Sequence, residues 1–310
     1  MEEIVAGIDI GGTNTTFGLI DGDGKVLVKD GIKTRDYLRV EDFVEKVSEG
    51  ITRQVETLRS RNPDFHLKGI GIGAPNANPR AGTIENAPNL SWKGIVPLAA
   101  MFKERMGARV LLTNDAKAAA IGEQIFGSAR GMKDFIVITL GTGLGSGIIA
   151  NGEVIYGNDG FAGELGHVII QQGGRLCGCG RHGCLETYCS ATGLVKTYKE
   201  LHPDAEDHAD AKLIAGRANA GEPEAIEAFR YTGEILGFAL ANSVAYTSPE
   251  AIFLFGGLIK AGDLLFKPTR ESFEKNLLKN YQGHIRIEPS SLHEGDAAVL
   301  GAASLIWREK

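Results

Sequence analysis

Twice in this chain an apolar strand runs into a glycine turn and back out along a second strand, a repeat that restricts the fold more than any other feature. The first copy is Ile4-Val5-Ala6-Gly7-Ile8-Asp9-Ile10, then Gly11-Gly12-Thr13, then Thr15 to Ile20. The second is Phe135 to Leu140, then Gly141-Thr142-Gly143-Leu144-Gly145-Ser146-Gly147, then Ile148-Ile149-Ala150. Aligned on Ile10-Gly11 and Leu140-Gly141, both continue to a further glycine turn, Asp21-Gly22-Asp23-Gly24 in one and Asn151-Gly152 in the other. A third apolar strand, Ala251 to Phe255, ends in Gly256-Gly257-Leu258. Without Cβ atoms in the way, backbone N–H groups can close on an anion. Such turns at corresponding strand ends of a duplicated chain imply two similar halves facing one nucleotide.

Neither turn fits the commoner phosphate loops. The chain has no Gly-x4-Gly-Lys-Ser/Thr run, and the 141–147 glycines lead into a strand where a dinucleotide-binding fold would open a helix. Asp9 closes the first strand as a hard oxygen ligand of the kind Mg²⁺ prefers, here through water.

A length of 310 residues accommodates two packed domains. A formal net charge of −6 without a long basic run argues against a nucleic-acid surface. No stretch reaches the roughly 20 apolar residues of a membrane span, and Met1-Glu2-Glu3 lacks the basic start of a signal peptide. The expected location is the cytoplasm.

Apolar residues at Val40, Phe43, Val44, Val47, Ile51, Val55 and Leu58 predict an amphipathic helix ending near Asn62-Pro63. A strand from Leu67 to Gly73 precedes a long amide-rich loop that includes Asn76, Asn78, Asn86 and Asn89. A short helix (Leu98 to Arg105) and a strand (Arg109 to Thr113) lead to Asn114-Asp115 and an alanine-rich helix, Ala116 to Phe126. After an irregular polar region from Asn158 to Ser190, helices are expected over 191–201, 209–220 and 223–246. The last of these turns Ile226, Phe229, Leu236, Leu240 and Val244 to one side. A strand over 251–255, a helix near 264–281, a strand over 285–287 and a closing helix over 296–307 complete the chain. In that closing helix Ala297, Ala298, Gly301 and Ala302 suit close packing. The predicted division is a small α/β domain of residues 1–117 plus 296–310, and a larger α/β domain of 118–295.

All four cysteines lie between Cys177 and Cys189. Cys177-Gly178-Cys179-Gly180-Arg181-His182-Gly183-Cys184 gathers three soft ligands with glycines to bend the backbone round an ion. In a reducing compartment clustered thiols favour a metal over disulfides. A tetrahedral site needs one more ligand, and His167, His182 and Cys189 are all available.

Taken together, Asp9-Ile10-Gly11-Gly12-Thr13, Leu140-Gly141-Thr142-Gly143, Glu164-Leu165-Gly166-His167 and Cys177-x-Cys179-Gly180-x-x-Gly183-Cys184-x-Glu186 resemble the ROK family (repressor, open reading frame, kinase) along nearly the whole chain. The resemblance implies an actin-like ATPase (ribonuclease H-like) fold, two α/β domains with a cleft between them. It implies phosphoryl transfer from ATP with Mg²⁺ to a hexose, a structural Zn²⁺ and a homodimer. Asp115 corresponds to the catalytic base. Asn89, Asn114, Asp115, Glu164, His167 and Glu186 correspond to substrate-binding residues. Asp9, Gly11, Gly12, Thr13, Asn14, Gly141, Thr142, Gly143, Gly256 and Gly257 correspond to nucleotide-binding positions. His167, Cys177, Cys179 and Cys184 correspond to the zinc ligands, leaving Cys189 as a spare thiol. Two positions depart from the pattern: Asn14 where Lys often follows Gly-Gly-Thr, removing a cation from the phosphate loop, and Asn76 where glycine is common, which touches the sugar loop.

Residue chemistry agrees with that assignment. A sugar hydroxyl is a poor nucleophile, and a carboxylate within reach takes its proton as the bond to phosphorus forms. Asp115 also reads as a plain helix cap. The expected activity is that of an ATP:hexose 6-phosphotransferase acting on the 6-hydroxyl of glucose. Alternatives are an N-acetylglucosamine or N-acetylmannosamine kinase or a fructokinase. A sugar-responsive repressor is the rival of another class, disfavoured because Asp9 lies too near the first residue for a preceding helix-turn-helix.

Overall fold

A computed structural model describes residues 2–206, 208–292 and 294–308. Met1, Glu309 and Lys310, assigned above to the small domain, lie outside them. The chain forms two compact units, one of Met1–Gly131, Val154–Ala162 and Ser291–Lys310, the other of Met132–Glu153 and Gly163–Ser290. A boundary at 117/118 falls inside the helix Asp115–Phe126.

In the first unit β1 (Glu2–Ile10), β2 (Asn14–Ile20), β3 (Val26–Lys33), β4 (Phe65–Gly73) and β8 (Val110–Thr113) form one sheet in the order β3-β2-β1-β4-β8. β1 pairs antiparallel with β2 through the first glycine turn and parallel with β4. The duplicate behaves alike. In the second sheet β9 (Phe135–Leu140) pairs antiparallel with β10 (Leu144–Ala150) and parallel with β12 (Ala251–Phe255). With β11 (Glu153–Val154) and β13 (Arg286–Pro289) its order is β11-β10-β9-β12-β13, the same arrangement strand for strand. The repeat seen in the sequence is a repeat of topology.

Helix α1 (Val40–Arg61) buries Phe43, Val44, Val47, Ile51, Val55 and Leu58 as the spacing predicts. The closing helix α9 (Glu294–Arg308) lies directly on the first sheet: a Cβ on Gly7 would stand 2.1 Å from the Val299 carbonyl oxygen, and one on Gly71 1.8 Å from that of Ala302. Side chains at either glycine would prise helix from sheet. The segment read as a long loop instead contains a small sheet of β5 (Ala77–Asn78), β6 (Thr83–Glu85) and β7 (Ile95–Val96), followed by α2 (Leu98–Met106) and, after β8, α3 (Asp115–Phe126).

The second unit packs α4 (Glu186–Cys189), α5 (Ala191–Leu201), α6 (Ala211–Asn219), α7 (Pro223–Thr247) and α8 (Asp263–Asn276) around its sheet. In α7, Phe229, Leu236, Leu240 and Val244 are buried, but Ile226, expected beside them, is 42% exposed. The first turn buries Ala225 and leaves Ile226 on its outer side, and further along Gly233 and Gly237 let Pro268 and Thr269 of α8 approach. Helix α8 stops at Asn276, short of the expected 281. β3, absent from the sequence reading, is a sheet edge with mixed exposure and no clean alternation. Among the described residues no helix is long and apolar enough to cross a membrane.

Candidate functional site

The groups of the first unit collect at the carboxyl ends of parallel strands, where open α/β sheets hold ligands. Asp9 pairs with Gly73 across β1 and β4, and Gly73 pairs with Thr113 across β4 and β8. Asn114 and Asp115 follow Thr113 directly. Gly73 keeps the space between the two acids clear: a Cβ there would lie 3.6 Å from the Asp115 Cα and 3.9 Å from Asp9 Oδ1.

At the start of α3 the capping role falls to Asn114. Its Oδ1 accepts from the N–H of Ala116 (3.0 Å) and of Lys117 (3.4 Å). Asp115 occupies the first helical position, with Oδ1 accepting from Ala116 N–H at 2.8 Å. The Ala116 N–H anchors Oδ1 of Asp115, while part of the residue remains open to solvent. Desolvation by the surrounding protein raises its carboxyl above the usual range, against the pull of the Ala116 N–H, its own N–H, Asn114 and the Lys117 charge. Burial, reinforced by the Asp115 charge, pushes Asp9 up from 3.8 to about 7.

Gly12 lies against Asn89: a Cβ on Gly12 would stand 2.6 Å from the Asn89 carbonyl oxygen. Asn89 therefore lies against the turn formed by Gly11, Gly12 and Thr13, whose Gly11 N–H donates to Asn14 O at 3.0 Å. Asn76 has φ +51°, which explains why glycine suits that position and why asparagine is tolerated. Its Nδ2 donates to Glu85 O at 3.0 Å, tying the turn back to β6.

In the second unit Gly141 and Gly143 close the second turn (Gly141 N–H to Gly143 O, 3.1 Å), and Ala191 N–H at the start of α5 holds it through Gly141 O at 2.9 Å. Thr192 Oγ1 donates to Thr142 O at 2.8 Å. Gly256 has φ +109°, and a Cβ there would stand 2.6 Å from Leu140 O, so the Gly256-Gly257 turn abuts the end of β9.

The metal candidates converge. Donor atoms of His167, Cys177, Cys179 and Cys184 all lie within 4.8 Å of one another. Cys177 Sγ is 3.6 Å from His167 Nδ1, and Cys179 Sγ is 3.7 Å from Cys184 Sγ. A tetrahedral zinc ion with bonds of about 2.3 Å to sulfur and about 2.0–2.1 Å to nitrogen requires edges of about 3.8 and 3.6 Å. The set fits such an ion. His182 faces away, with Nδ1 3.0 Å from Gly174 O, and buried Cys189 lies 3.5 Å from Thr232 O. Burial would raise the Cys179 thiol, but the Arg181 N–H and side chain and the two neighbouring thiols bring it down to about 6. A thiol so placed is readily supplied as thiolate.

Glu186 joins the cysteine loop to the second turn. Its Oε1 accepts from the Cys177 thiol at 3.1 Å, its Oε2 from Leu144 N–H at 3.4 Å. Gly166 lets the 164–167 loop sit on β10, since a Cβ there would stand 2.1 Å from Leu144 O. Glu164 is exposed and His167 half-buried.

Three contributors escaped the sequence reading. Lys117, buried two residues after Asp115, donates from Nζ to Gly160 O at 3.2 Å and places its charge where it acts on Asp115. Ser146 Oγ donates to Gly163 O and accepts from Leu165 N–H at 3.3 Å, fixing the 164–167 loop. Arg35 Nη2 donates to Thr13 Oγ1 at 2.6 Å. Only the Asp-x-Lys spacing at a helix start was visible in linear order.

The sequence profile described as ROK family matches residues 5–309. A glucokinase of Thermotoga maritima is 36% identical over 313 residues, covering 97% of this chain and 96% of its own. A putative xylose repressor of a Caldicellulosiruptor species is 29% identical, covering 98% of this chain and 78% of its own. The crystal structure of a ROK family glucokinase from Streptomyces griseus in complex with glucose and AMPPNP superposes with a TM-score of 0.82 at 32% identity, covering 97% of this chain and 98% of the other. Matched strand orders, paired glycine turns and these relatives lead to one conclusion: the chain belongs to the ROK family and has the actin-like ATPase fold.

Proposed function

We propose that this protein is an ATP-dependent hexokinase that phosphorylates the 6-hydroxyl of glucose. The observation that carries the reading is the site of Asp115. It stands beside Asp9 at the carboxyl end of the first sheet, with the helix-capping task already taken by Asn114. Near full-length similarity to glucokinases supports the substrate class, and the repressor match is weaker in identity.

In this reading Asp115 accepts the proton of the sugar 6-hydroxyl as that oxygen bonds the γ-phosphorus of ATP and ADP departs. The neighbouring Asp9, through water, would hold Mg²⁺, which supplies charge neutralisation at the phosphates. The turns at Gly11, Gly12, Thr13 and Asn14, at Gly141, Thr142 and Gly143, and at Gly256 and Gly257 would receive the nucleotide with backbone N–H groups. Asn89, Asn114, Glu164, His167 and Glu186 would pair with the ring hydroxyls, so that a sugar leaving them unpaired is rejected. His167, Cys177, Cys179 and Cys184 would hold a structural zinc ion that fixes the 164–167 loop. A cytoplasmic homodimer goes with the same reading.

The test is ADP release with MgATP across glucose, mannose, fructose, N-acetylglucosamine and N-acetylmannosamine. Glucose should show the highest kcat/KM. Preference for an N-acetylated sugar or fructose would reassign the substrate, and no turnover of any would sink the kinase reading.

A further inference from the structure

We propose that Arg35 is the phosphate-binding cation of the first glycine turn. The proposal rests on the kinase reading and adds a residue to it. Asn14, at the start of β2, brings no charge to the turn it follows. A cation nevertheless arrives from the far end of β3. Thr34 N–H donates to Thr13 O at 2.9 Å, and the buried hydroxyls of Thr34 and Thr15 lie 2.8 Å apart. These bonds fix the short 34–36 turn beside Gly12 and Thr13, so the position of Arg35 is set by the sheet and not by a wandering loop.

The Arg35 guanidinium donates to Thr13 Oγ1 at 2.6 Å, and among the described residues no carboxylate lies within the 4.0 Å ion-pair distance of it. Most of its N–H donors are thus unspent, and the side chain is exposed. An arginine held against an anion-receiving backbone turn, without a counter-ion, has the planar fork that matches phosphate oxygens. Because Arg35 donates to the Thr13 oxygen, the hydroxyl proton of Thr13 is left to point at the same anion, and the two donors reinforce each other. Lys33 supplies a built-in control. It faces Asn14 across the β2–β3 pair, carries the same charge, and is exposed.

The experiment is calorimetric titration of the full chain with MgATP, magnesium tripolyphosphate, adenosine and glucose, alongside KM values and melting curves. Arg35→Met should weaken MgATP and tripolyphosphate by about 10- to 100-fold and leave adenosine, glucose and the melting temperature essentially unchanged. Arg35→Lys should recover part of that loss, and Asn14→Lys in the Arg35→Met background should recover more, whereas Lys33→Met should cost less than about threefold. Wild-type phosphate affinity in Arg35→Met, or an equal loss in Lys33→Met, would overturn the assignment while leaving the kinase intact. A parent protein binding MgATP no better than adenosine would overturn both.

Discussion

In the first turn an added Cβ would meet backbone, 2.9 Å from Asn14 O at Gly11 and 2.6 Å from Asn89 O at Gly12. In the second it would meet nothing within 4 Å at Gly141, the counterpart of Gly11, and only the Glu186 side chain, at 2.9 Å, at Gly143. The two turns are copies, joined to sheets of identical order, yet they are built into their units differently. The first is crowded on the protein side by Asn89 and carries acids, Asp9 and Asp115, at the neighbouring strand ends. The second has open space in front of Gly141, and its nearest acid, Glu186, is engaged by Leu144 N–H and the Cys177 thiol. Duplication supplied the backbone device, and in the proposed reading divergence gives proton and metal chemistry to one copy and a metal-braced loop to the other.

The most severe way to probe that division is Asp115→Asn, which keeps the shape and removes the carboxylate proposed as the base. It should lower kcat by about 10²–10⁴ with an unchanged melting temperature. A variant with near-normal turnover in the ADP-release assay would end the assignment. Cys184→Ser addresses the other unit. Metal analysis should find zinc in the parent and not in the variant, and KM for glucose should rise about 10- to 100-fold as the 164–167 loop loses its brace. Zinc absent from the parent, or a variant that loses zinc with an unchanged glucose KM, would remove the brace from the scheme.

How much of this was legible beforehand follows from where each contact lies along the chain. The glycine turns, Asp9 and the Cys177–Cys184 run are local patterns, so their chemistry shows in linear order. Spacing alone left His167, His182 and Cys189 open as the fourth ligand, and the family resemblance implied His167. The fold agrees by gathering His167 with the three thiols while His182 meets Gly174 O. Asn114 and Asp115 compete for one capping role, and sequence cannot say which oxygen meets the Ala116 and Lys117 N–H groups. Arg35 reaches Thr13 across a strand that the hydrophobic pattern did not reveal. Asn76 looked like a disturbance and is a left-handed residue in its second-best chemistry.

The glycines themselves allow a paired test of crowding against openness. Gly12→Ala pushes a methyl into the Asn89 backbone and should cost about 1–3 kcal/mol of stability, as overpacking does. Gly141→Ala meets no protein, so denaturant midpoints should shift by no more than about 0.5 kcal/mol. Its effect belongs on MgATP, with KM raised several-fold while the glucose KM stays put. A loss of stability at Gly141 matching that at Gly12 would show that the second turn is as tightly packed as the first, and the contrast drawn between them would fail.

The gentlest probe is pH, through the acid that only the first unit has at this strand end. In the folded, ligand-free protein Asp9 is raised from 3.8 to about 7 by burial and by the Asp115 charge. Between those values the folded state retains a proton that the unfolded chain has released, so the slope of stability with pH is negative. The contribution is fully present below about pH 4, declines as pH rises, and is gone once pH passes 7. Water reaches a half-buried carboxyl, so its measured size should be about 1 kcal/mol. Asp9→Asn cannot ionise and should flatten that part of the curve, leaving the shallower dependence due to Asp115, whose carboxyl is raised in the same direction. The comparison is therefore a difference curve, wild type minus Asp9→Asn, from denaturant unfolding at pH 4 to 8. A difference that stays level or rises with pH would mean that Asp9 ionises freely in the folded state, and the two strand ends would then differ in sequence but not in electrostatic environment.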